Sequence, residues 1–145
     1  MFTAPSNTGL AKNTSWKVVL PFYVYAALSF LSATILLFFS SSAFTQHYFH
    51  PQTLAITHVM ALGWGTMVIL GASHQLIPVL IEGKLYSNAL GYLSFVTAAV
   101  GIPLLIVGFY NFYFGLVTQA GAILINAAIL FYLVNIAASM LKSKK

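Results

Sequence analysis

Four histidines, His47, His50, His58 and His74, are the side chains here best suited to hold a metal or carry a proton. Cys, Asp and Arg are absent, and Glu82 is the single acid. That inventory excludes disulfides, thiolate metal sites, Cys-linked c-type haem and catalysis by paired carboxylates. His58 is the informative one, because it lies about seven residues, or about 10 Å, below the outer end of its expected helix. An ionisable group at that depth is expensive to bury and is a functional candidate by default. At about 100° per residue, His58, Ala61, Gly65 and Ala72 form one stripe on which everything near the imidazole is small. Such a stripe admits a flat, bulky ring against an axial imidazole, as haem requires. It equally admits a closely packed helix. A neutral His donating to a backbone carbonyl, or to Thr or Asn on a neighbouring helix, is the third reading.

The remaining polar groups carry less. His74 lies 16 residues beyond His58, about 24 Å away and turned by about 160° in uninterrupted α-helix, so the two cannot share one iron. Beside Gln75, it is expected to snorkel or hydrogen-bond at the membrane boundary. His47 and His50 fall in a connection, as solvated loop residues or as a second metal site above His58. Gln119 and Asn126, seven apart, share a helix face, with Asn135 roughly opposite; such amides usually bond between helices. Gly101 and Gly108 form a small-residue packing face.

The elements that position these groups follow from composition. Sixty per cent of the 145 residues are hydrophobic and 5% charged, against about a quarter charged in soluble domains, so a water-facing globule is excluded. A bilayer core needs about 20 apolar residues per helix, and four uncharged runs of that kind occupy about 18–39, 54–81, 90–109 and 114–141. The expected fold is therefore all-α, one domain of four transmembrane helices. The apolar run before Ser41-Ser42-Ala43 exceeds a usual signal core, so the first helix is expected to be retained. Lys12, Lys17, Lys84, Lys142, Lys144 and Lys145 all fall at one end of these spans, which the positive-inside rule makes cytoplasmic, with both termini inside. With no Arg, the basic balance speaks of orientation in a cytoplasmic membrane and not of nucleic acid. Pro103 is expected to be tolerated because a neighbouring helix satisfies the carbonyl it frees, and Pro78 to bend or end the second span.

The stretch HPQTLAITHVMALGWGTMVILGASHQLIPVLIEGKLYS, from His50 onward to Asn111, resembles the haem-copper oxidase superfamily, in particular the main-subunit helix that carries the low-spin haem ligand near the outer face. His58, Gly71, Pro78 and Gly83 stand where that helix has its His, small-residue run, inner Pro and turn Gly. The chain is also similar to NnrS-type haem membrane proteins. The resemblance implies a haem, b-type, with His58 as axial ligand and Ala61, Gly65 and Ala72 along the ring. It further implies electron transfer or handling of NO or O₂, with a redox protein or quinone as partner. The departures are specific. Ile56 stands where the family often has a second His, the adjacent His pair that binds copper is missing, and His50-Pro51 is followed by Gln52 and not by an acid. Copper therefore has no full ligand set, His50 and His47 being the nearest to one, and oxidoreductase turnover is left open. Because the family's main subunit has three four-helix arcs, one arc alone implies a homotrimer with the second span near the axis. An accessory membrane subunit without cofactor is the alternative.

Overall fold

The computed structural model describes residues 14–143; Lys12, Lys144 and Lys145 lie outside them. Four helices account for most of the chain: α1, Trp16–Phe39; α2, Pro51–Leu80; α3, Asn88–Tyr110; and α4, Leu116–Ser143. Each is long and apolar enough to cross a membrane, and the described residues contain no strand. The expected runs are thus met to within a few residues at each end. Large apolar side chains such as Leu28, Leu31, Ile69, Val100 and Ile123 are exposed, as suits helices whose outer surface meets lipid and not water.

Helix ends are set by local chemistry. Pro51 occupies the first turn of α2, where a missing N–H costs nothing. Ser87 caps α3, its hydroxyl accepting from the Leu90 N–H at 3.3 Å. Helices α2 and α3 both stop on a residue in the left-handed region, Glu82 at φ 49° and Phe112 at φ 52°. In each case the N–H of the next residue reaches back over the last turn, Gly83 to the Pro78 carbonyl at 3.0 Å and Tyr113 to the Gly108 carbonyl at 2.8 Å, the Schellman pattern. A 3₁₀ turn, Ser41–Thr45, begins the connection between α1 and α2, and the Thr53 hydroxyl donates to the Ala43 carbonyl at 3.2 Å.

Of the prolines inside helices, Pro21, Pro78 and Pro103, none ends its helix early, and for the last two the reason is visible. Pro103 lacks the N–H that would bond the Ala99 carbonyl, and the Tyr25 hydroxyl of α1 donates to that carbonyl at 3.3 Å. Pro78 frees the His74 carbonyl in the same way, and the Thr14 hydroxyl donates to it at 2.5 Å. An unsatisfied carbonyl costs several kcal/mol in hydrocarbon, roughly, so these two bonds make Pro78 and Pro103 tolerable.

Helices α3 and α4 form the tightest pair. A Cβ on Gly101 would lie 2.9 Å from the Gly121 carbonyl oxygen, and one on Gly121 would lie 2.6 Å from the Leu105 backbone nitrogen. Only glycine permits this approach. Gly108, where a Cβ would collide with Thr118, extends the same seam, so the expected Gly101 and Gly108 packing face is present. At the Lys-bearing end Asn135 clamps the α2–α3 connection. Its Oδ1 accepts from the Ser87 N–H at 3.0 Å and its Nδ2 donates to the Ser87 carbonyl at 2.9 Å. The Ser139 hydroxyl accepts from the Tyr86 N–H at 2.8 Å, and Lys142 Nζ sits 4.4 Å from the centre of the Tyr86 ring. The core runs between the helices through Phe22, Ala26, Met67, Leu70, Ala98, Ile102, Ile125 and Ala128.

Candidate functional site

Helix α2 is not a plain α-helix. Pro51–His58 and Met67–Leu80 are α-helical, while Val59–Thr66 between them winds as a π-helix. Each π closure takes one more residue into the turn, so a face drawn at 100° per residue does not continue across this segment. The consequence is a change of neighbour. Pro51–His58 packs against α3, whereas the π segment and Met67–Leu80 pack against α1. Gly63 and Gly71 make that second contact close, since Cβ atoms there would lie 2.6 Å from Ser29 Oγ and 3.0 Å from Phe22 Cβ.

His58 is half-buried at the end of the first α-helical part. Its Nδ1 lies 2.7 Å from the Leu54 carbonyl oxygen. A carbonyl only accepts, so Nδ1 carries the proton and Nε2 presents a lone pair. Nε2 has no hydrogen-bond partner among the described residues. The ring stacks on Phe109 of α3, centroids 4.0 Å apart and planes 25° from parallel. Stacking covers a face of the imidazole and leaves its ligating edge outside the contact.

The four residues of the expected stripe are divided by the π segment. Ala61 and Gly65 line an apolar groove of about 580 Å³ together with Leu37, Phe44, Thr57 and Trp64. His58 is next to Thr57 in sequence but is not part of that wall. A Cβ on Gly65 would meet only the Met60 carbonyl oxygen, at 3.5 Å, so the groove has room there. Ala72 lies beyond the π segment and outside the groove.

His74 is placed differently from expectation: it is fully buried in the core and does not snorkel. Phe22 stacks on it at 5.3 Å, Tyr132 meets it edge-on at 5.4 Å, and a Cβ on Gly91 would lie 3.5 Å from its Nε2. The reason is the direction it faces, since this half of α2 packs onto α1. Its Nδ1 donates to the Leu70 carbonyl at 2.8 Å, and its Nε2 is buried without a partner among the described residues. The packed rings around it leave no wall for a macrocycle. A separate cleft of about 660 Å³ opens between α1 and the end of α2, where the Tyr23 hydroxyl donates to Gln75 Oε1 at 3.4 Å.

In the connection before α2, the exposed His47 accepts the Phe49 N–H on Nδ1 at 3.3 Å and lies against Tyr48, centroids 4.2 Å apart. His50 bonds to it through the backbone, N–H to the His47 carbonyl at 2.8 Å, and its own Nδ1 is buried without a partner among the described residues. No cluster of three or more His, Cys, Asp or Glu able to hold a metal occurs among the described residues.

Comparison with protein-family models, curated proteins and solved structures gives no match. The site therefore stands on its own geometry. Sequence reasoning missed Thr14 and Tyr25 as the donors that satisfy the proline-freed carbonyls. The only signal for them was the position four residues before each proline, which names the acceptor and not the donor.

Proposed function

We propose that this multi-pass membrane protein binds a b-type haem through His58 and uses it for electron transfer or for handling NO or O₂, in the style of the haem-copper oxidases. The observation that carries the reading is the His58 tautomer: a backbone carbonyl fixes the proton on Nδ1 and leaves Nε2 free to ligate. Metal-bound histidines are characteristically held in this way, the outer hydrogen bond orienting the ring and raising its basicity. The residues fit the group at the ligand, and the groove at Ala61 and Gly65 is apolar and roomy, as a flat ring needs, although His58 is not one of its lining residues. Bound there, haem would supply one-electron chemistry and an iron that takes diatomic gases.

The chain's own contribution is to hold and to exclude. Leu54 sets the imidazole edge and Phe109 covers one imidazole face. With no acid in any span, proton delivery by a carboxylate relay is not part of the proposal. His47 and His50 are two imidazoles without a third ligand, which is too few for a copper centre. In the homotrimer that the oxidase resemblance implies, a neighbouring copy would supply the wall that one protomer lacks, and a redox protein or quinone would exchange electrons with the site. The Lys-bearing end, where Lys17, Lys84 and Lys142 lie, is cytoplasmic, with both termini inside.

One observation favours a second reading. The Phe109 stack is a contact in its own right, and His58 lies outside the groove wall, as a packed residue of an accessory subunit without cofactor would. Absorption spectra of protein purified from haem-replete cells separate the two. The haem reading expects a Soret band that His58→Ala abolishes and His74→Ala largely keeps. Equal spectra for wild type and His58→Ala would remove the assignment, and a colourless wild type would favour the accessory subunit.

A further inference from the structure

Polar side chains on the lipid-facing surfaces of this bundle fall into two kinds. The hydroxyls of Ser32, Thr34, Thr57 and Thr97 each donate to a carbonyl three or four residues earlier. A hydroxyl has one proton, so that bond leaves no free donor in hydrocarbon. Asn126 on α4 is different. Its Nδ2 donates one proton to the Ala122 carbonyl at 2.8 Å, and its second N–H and its Oδ1 have no partner among the described residues. The side chain is exposed. Asn126 stands 3.5 residues, about 5 Å, from the middle of Leu116–Ser143, well inside a hydrocarbon core about 30 Å thick. Leaving those groups unpaired against lipid is strongly unfavourable, because hydrocarbon offers them no hydrogen-bond partner.

The surroundings show what kind of surface this is. Gln119, Ile123, Asn126, Leu130 and Leu133 are all exposed and recur at alternating spacings of four and three, the repeat with which helices pair in left-handed bundles. The opposite face of α4, with Thr118, Gly121, Ile125, Ala128 and Asn135, is buried. Gln119 repeats the amide two turns away, its Nε2 reaching the Phe114 carbonyl only at 3.5 Å.

We propose that this face of α4 is where a second copy of the chain packs, with Asn126 meeting Asn126 of the copy. Two copies inserted in the same direction carry the amide at the same depth, and a carboxamide both donates and accepts, so the copy is its own complement. A rotation axis along the membrane normal satisfies every amide. Two copies pair, and three form a ring in which each donates to the next. This puts α4 at the axis, in place of the second span that the oxidase resemblance puts there, and it does not rest on haem binding.

The absence of Cys makes the test direct. Single Cys residues are introduced into the full chain in its native membrane and oxidised, since a disulfide needs Cβ atoms about 4 Å apart. Ile123→Cys and Leu130→Cys should give a covalent pair of chains. Ile129→Cys, turned about 80° from the centre of the stripe, and Val100→Cys on the exposed side of α3 should not. Adding Asn126→Leu should weaken self-association, read by energy transfer between labelled copies as the lipid-to-protein ratio is raised, about 3- to 20-fold. Asn126→Gln should retain most of it. Cross-linking that is equal at all four positions or absent at all four, cross-linking to a different protein, or an Asn126→Leu chain that associates as wild type would each overturn the proposal. Asn126→Leu removes a polar group from a lipid-facing position, so it leaves the protomer's packing intact, and a thermal melt of the same sample verifies this. Haem content of that sample reports on His58 separately.

Discussion

Gly121→Ala is the sharpest test of how this bundle is held together. The added Cβ would lie 2.6 Å from the Leu105 nitrogen and 2.8 Å from the Gly101 carbonyl oxygen. Both are backbone atoms, so no side chain can swing aside, and the α3–α4 seam must open by close to 1 Å to restore van der Waals contact. Overpacking of this kind costs about 1–3 kcal/mol. The same substitution gains about 1 kcal/mol in helix propensity, leaving a net loss of up to about 2 kcal/mol, as much as a 30-fold shift toward unfolding. Gly65→Ala is the matched control, because its Cβ would meet only the Met60 carbonyl, at 3.5 Å, and it should be neutral or slightly stabilising. Reversible unfolding of both variants in lipid bicelles by added denaturing detergent supplies the comparison. Equal stabilities for Gly121→Ala and Gly65→Ala would refute the close approach of α3 and α4.

Asn135→Leu removes both hydrogen bonds to Ser87 and strands the Ser87 N–H; unfolding in the same bicelles should show a loss of about 1–3 kcal/mol. Glu82→Gly relieves a non-glycine residue at φ 49° and should stabilise by about 0.5–1 kcal/mol, measured as a raised melting temperature. Reporter fusions within residues 82–86 and within 41–49 should report opposite sides of the membrane, the Lys84 loop inside; an externally active reporter beside Lys84 would overturn the orientation.

The spans were legible because length and apolarity alone decide whether a helix crosses a bilayer, and the seam at Gly101 and Gly108 because small residues at helical spacing serve close approach. The tolerance of Pro103 could be reasoned in kind, although Tyr25 could not be named. What could not be read was phase. The stripe through His58, Ala61, Gly65 and Ala72 assumed constant winding, and Val59–Thr66 breaks that assumption through hydrogen bonds that no single residue type announces. His74 was misplaced because its depth near the membrane boundary was read without the direction it faces, which is inward against Phe22 and Tyr132. Asn135 and Asn126 were separable by angle, but only packing shows that the first is buried against Ser87 while the second faces outward.

The π segment also gives α2 a tolerance that its neighbours lack. A helix that already holds an extra residue in one turn can give that residue up without breaking, so a single-residue deletion within Val59–Thr66 would be absorbed as ordinary α winding. The parts on either side would keep close to their present phase, because a turn that holds the extra residue and one that does not both close one revolution. The same deletion in α3 or α4 would have no such refuge and would carry Gly101 or Gly121 out of the seam. Helix α2 therefore behaves as two rods joined by a turn with slack, one indexed to α3 through Phe109 and the other to α1 through Phe22.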